Sequence, residues 1–164
     1  MLFFIRRYSV NDIFSIDKMR QNLADTMNSL PNQSPRKKTP VETEEIELLS
    51  ESRRLAGACK AMIRSVCGGE DEEHWGPLVN EVVESAERVT NITETLVRKS
   101  NAIFHAQLMT ANTDQMLRCL KETVESMRKL NGFDPSEDNS KILVSHSTSL
   151  SAAITQILHT VRGL

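Results

Sequence analysis

The chain has 164 residues and a mass of 18.5 kDa, the size of one domain. Its six glycines, five prolines and seven aromatic residues are too few turn formers and strand formers for a sandwich or barrel, which takes a turn roughly every 8–12 residues. A hydrophobic fraction of 39% excludes a disordered chain, and a net charge of −2 argues against a generic nucleic-acid binder. No apolar run approaches the roughly 18 residues that span a bilayer, so membrane insertion is not expected.

The first segment is basic. Residues 1–40 carry seven Lys/Arg against Asp12, Asp17 and Asp25, a net +4, whereas residues 41–164 carry 13 against 19. An apolar start (Met1 to Ile5) and the pair Arg6-Arg7 precede a weakly amphipathic stretch with Ile13, Ile16, Leu23, Met27 and Leu30. A secretory signal is not expected, because the charge follows the apolar run and no small-residue cleavage site closes it, and the three aspartates count against a mitochondrial presequence. The expectation is a flexible extension, an accessory strand and helix or a leader, lying outside the main core. Residues 31–40 hold three of the five prolines and the run Arg36-Lys37-Lys38, which reads as a solvated linker. Within it, Ser34-Pro35-Arg36-Lys37 has the form of a proline-directed kinase site, making Ser34 a candidate for phosphorylation.

A helix start follows the linker, with Thr39 as N-cap, Pro40 at the first helical position and Glu42 completing a capping box. The seam Leu48, Ser52, Leu55, Cys59, Met62, Val66 then predicts a helix over about 40–67, stopped by Gly68-Gly69. A second seam, Val79, Val82, Ala86, Val89, Thr93, Leu96, predicts a helix over about 77–98, starting at Pro77 or a turn earlier. Trp75, just before it, reads as a cap on the end of the bundle or as an exposed anchor. A third seam runs Ala102, Ala106, Met109, Thr113, Met116, Leu120, Met127, Leu130. Its phase does not continue from Leu96, so Lys99-Ser100-Asn101 is either a short turn or a stutter in one long helix. The fourth seam, Leu143 to Val161, occupies about 138–162. Helices of this length with short connections predict an all-α fold, an antiparallel up-down four-helix bundle over residues 40–164 behind an extension and linker over 1–39.

Chemistry-bearing patterns are sparse. Cys59, Cys67 and Cys119 form an odd set without CxxC spacing, and the first two sit about 12 Å apart along one helix, beyond disulfide reach. The four histidines stand singly, with no HExxH, no phosphate loop and no GxSxG. No catalytic residue, cofactor or metal is therefore expected, and the chain reads as a non-enzyme. Asn91-Ile92-Thr93 matches a glycosylation sequon but falls in mid-helix.

The stretches Glu51–Arg64 (ESRRLAGACKAMIR) and Ser147–Ile154 (STSLSAAI), with seams rich in Ala, Ser, Thr and Val, resemble the helices of adhesion and cytoskeletal bundles: talin and vinculin rods, the focal-adhesion-targeting bundle and the actin-binding tail of Abl-type kinases. The resemblance spans about residues 40–164 and implies a cytoplasmic interaction module, at the cytoskeleton or cell cortex, that docks amphipathic partner helices or touches F-actin through a basic face. Arg53, Lys60 and Arg64 recur at helical spacing as a candidate basic strip, and Thr93, Ala102, Ala106 and Thr113 mark a thinly packed candidate groove. The alternative is a membrane-trafficking adaptor or syntaxin-like regulatory bundle, and a third reading uses residues 1–20 as an organelle address.

Overall fold

Glycines end the first predicted seam in the expected way. In the computed structural model, which describes residues 2–30, 41–100, 102–130 and 137–162, the Gly68 N–H bonds the Arg64 carbonyl and the Glu70 N–H reaches back to that of Ser65. Gly69 takes φ +79°, the left-handed conformation that favours glycine. Five helices result: α1 (Leu2–Asn28), α2 (Glu42–Cys67), α3 (Glu72–Lys99), α4 (Ile103–Leu130) and α5 (Glu137–Arg162). No strand occurs among the described residues.

Three start and stop signals come out differently from the sequence reading or resolve it. Helix α2 begins at Glu42 behind Val41, which makes no side-chain cap; Thr39 and Pro40 lie outside the described residues. Helix α3 begins five residues before Pro77, because the Asp71 carboxylate accepts the His74 N–H at 3.3 Å and serves as the N-cap. Pro77 therefore sits inside the helix, where it cannot donate to the Glu73 carbonyl. The phase break is a true turn: Ser100 is extended (ψ 136°) and its hydroxyl accepts the Ala102 N–H, so α3 and α4 are separate helices.

Helix α2 packs on α3 and α5, α4 on α3 and α5, and α1 on α3 and α4. Polar side-chain contacts fix the directions. Glu51–Arg88 at 3.1 Å and Glu44–Lys99 make α2 and α3 antiparallel, and Asn112–Thr160 with Glu122–His146 do the same for α4 and α5. The centre is filled by Leu48, Leu55, Met62, Met116, Leu120, Met127, Leu150 and Ile154, all at most 2% exposed. Trp75 is buried among them.

The N-terminal segment departs most from the expected flexible extension. Residues 2–28 are one continuous helix, Ile16 and Met19 belong to the hydrophobic core cluster, and Leu23 is buried as well. Their spacing of three and four residues puts them on one stripe with Thr26, Met27 and Leu30, and burying each such side chain contributes about 1.5–3 kcal/mol. That gain is available only against a second apolar surface, which α3 and α4 supply.

Candidate partner-binding surfaces

Helix α1 lies on the groove between α3 and α4 with polar contacts along its edges. Arg20 Nε donates to Asp114 Oδ1 at 2.9 Å, and Lys121 Nζ lies 3.0–3.1 Å from the two carboxylate oxygens of Asp17. Farther along, the Thr110 hydroxyl donates to Met27 Sδ, and Arg98 donates to Thr26 Oγ1. As α1 numbers rise from 17 to 27, its α4 partners fall from 121 to 110, so the two helices are antiparallel. A cleft of about 680 Å³ remains along the α1–α4 seam, lined by Gln21, Ala24, Met27, Gln107 and Ala111 among others. Asp12, on the same helix, is only 7% exposed, and burial pushes its carboxyl up to about 6.

Under this end of the molecule sit three of the four residues predicted to form a weak groove. Thr93 and Thr113 meet across α3 and α4, their hydroxyls 3.2 Å apart and both fully buried. Thr93 also donates to its own Val89 carbonyl at 2.9 Å, as Thr90 does to Ala86. Ala106 is buried, whereas Ala102 is exposed and takes no part. The buried α1 residues Ile16, Met19 and Leu23, with Arg20 on Asp114, were not singled out from the sequence as binding residues. Their i, i+3, i+7 stripe was the available signal, with Asp114 and Lys121 as the charges it would face.

The three residues of the candidate basic strip share one face of α2. Arg53, Lys60 and Arg64 are all exposed, and at 100° per residue they fall within about 40° of one another on α2. None of the three has an ion-pair partner among the described residues, whereas neighbouring Arg54 lies 3.6 Å from Glu51. Gly57 stands in this strip. A Cβ added there would meet nothing within 4 Å, so nothing in the chain's own packing asks for a glycine, which costs a helix about 0.5–1 kcal/mol relative to alanine. Ser34 lies outside the described residues.

The remaining polar chemistry is local. The Asp71 carboxylate, 2.6 Å from His74 Nδ1, holds that imidazole above its ordinary pKa and is itself lowered by the same bond. Burial depresses His105, whose Nε2 has no hydrogen-bond partner among the described residues. Cys59 is buried and its thiol is pushed up to about 12, and Cys119 is buried and raised for the same reason; Cys67 is exposed. Among the described residues no group of three or more His, Cys, Asp or Glu is placed to hold a metal ion, and no helix is long and apolar enough to cross a membrane. The chain matches no protein-family model, and no curated protein is similar to it.

Proposed function

We propose that the chain is a non-enzymatic protein-interaction module that works by docking amphipathic helices. In this reading α2 to α5 form an antiparallel up-down four-helix bundle, and α1 is a fifth helix added to its α3–α4 groove. One observation supports it above all: an amphipathic helix outside that ring packs on α3 and α4 with three of its apolar side chains buried and with ion pairs to α4 at its edge. A surface that accepts one such helix in cis has the chemistry to accept another in trans. The setting we propose is a cytoskeletal or adhesion scaffold in the cytoplasm, with F-actin as a further partner for the exposed strip Arg53, Lys60 and Arg64.

The test is competition for the groove. A fluorescent peptide of residues 12–30 is titrated with the full chain and with Leu23→Ser, whose own α1 docks less firmly. The expected result is that the variant binds the peptide at least tenfold more tightly than the parent. Equal, negligible binding by both chains sinks the docking reading. Co-sedimentation of the full chain with F-actin tests the cytoskeletal part separately, and its absence removes F-actin from the partners.

A further inference from the structure

The exposed face of α2 and the exposed face of α3 carry opposite charges at matching positions. On α2, Arg53 and Arg64 are eleven residues apart, about 16 Å along the axis and nearly on one line. On α3, Glu73 and Glu84 are also eleven residues apart, exposed, and within about 20° of one another. The intramolecular pair Glu51–Arg88 fixes the relative height of the two antiparallel helices. From it, Arg53 lies about 3 Å from the level of Glu84 and Arg64 about 3 Å from that of Glu73, and the second pair, Glu44–Lys99, widens each offset to about 9 Å, within the combined reach of an arginine and a glutamate side chain. Within one chain these groups do not meet, because they point outward side by side.

We propose that this α2–α3 face pairs two copies of the chain as a twofold dimer. A twofold axis parallel to the helices sets α2 of one copy on α3 of the other, antiparallel, and keeps every residue at its own height. Arg53 then faces Glu84 of the second copy and Arg64 faces its Glu73, each pair occurring twice. At the middle, Gly57 comes opposite Asn80. The missing side chain lets the two backbones approach there, which gives this glycine a role that the chain's own packing does not. The second copy is the occupant because the same face supplies both charge patterns in register, as an isologous contact requires. It is distinct from the α1 groove, which opens on the other flank of α3, and it competes with F-actin for the strip Arg53, Lys60 and Arg64.

Sedimentation equilibrium of the full chain from about 10 µM to about 1 mM, at low and high salt, reads the association. The expected result is a monomer–dimer equilibrium that stops at two copies and weakens at least tenfold at high salt. Arg53→Glu with Arg64→Glu abolishes the dimer, as does Glu73→Lys with Glu84→Lys. Mixing those two double variants, or combining all four changes in one chain, restores it. Gly57→Leu blocks the dimer while raising the melting temperature of the monomer, which separates lost contact from lost fold. A monomer throughout, growth beyond two copies, or a dimer indifferent to the charge reversals overturns the proposal.

Discussion

Two parts of the interior hold together by different means. Around Leu55, Met62, Leu120, Met127 and Ile154 the helices meet through large apolar side chains at most 2% exposed. Around Thr90, Thr93, Ala106 and Thr113 small or hydroxylated residues alternate with buried Val89, Leu96 and Met109, and Thr90 and Thr93 satisfy their hydroxyls on their own helix carbonyls four residues back. Both regions are buried, but the second removes less apolar area from water per residue and so gains less from closing. The lesson is that equal burial does not mean equal cohesion. It is on this less cohesive pair, α3 and α4, that α1 is laid.

The largest expected effect lies in the first region. Leu120→Ala leaves a void among fully buried neighbours and should cost about 3–5 kcal/mol in denaturant unfolding. Leu23→Ala, on α1, should cost about 2–3 kcal/mol and act locally. Native-state hydrogen exchange should speed up around Thr93, Ala106 and Thr113 while the amides near Leu55 and Ile154 keep their protection. Uniform acceleration in both regions would erase the comparison.

Smaller effects sharpen it. Asp12→Asn should stabilise the chain at pH 7 by about 1–2 kcal/mol, since a carboxyl raised from 3.8 to about 6 favours the folded state only while protonated. The sign follows from proton binding. Between pH 4 and 6 the folded chain holds the Asp12 proton more often than the unfolded one, so this group's contribution falls as pH rises through that window. Urea midpoints at pH 5 and pH 7 should differ less in the variant than in the parent. The smallest net change belongs to the threonine pair. Thr93→Val alone leaves the Thr113 hydroxyl without its partner and should cost about 1–2 kcal/mol, whereas adding Thr113→Val should recover most of it. Additive losses would mean that the two hydroxyls do not act together.

Periodicity made the helices of residues 42–162 legible to within a few residues, because each buries a continuous seam against its neighbours. Gly68-Gly69 marked the end of α2 correctly, since only glycine takes the φ of residue 69 at no cost. Pro77 misled, because proline favours the first turn while any of four consecutive acids, Glu70 to Glu73, competes as a cap; Asp71 wins through its bond to His74. Helix α1 was hidden for another reason. Its stripe is interrupted by Asp12, Asp17 and Arg20, charges that look solvent-bound until Asp114 and Lys121 are placed opposite the last two. Three of the four candidate groove residues lie on buried seams as their spacing implied, but what covers them depends on chain connectivity that periodicity does not carry.

The three cysteines give the molecule an internal clock. Cys67 is exposed and should react with a maleimide at once, which marks the native state. Cys59 on α2 and Cys119 on α4 are buried with raised pKa values, so their thiolates form only when the helices around them part. The order in which the second and third labels arrive would therefore time the opening of α2 against that of α4, in the unmodified sequence and without an introduced probe.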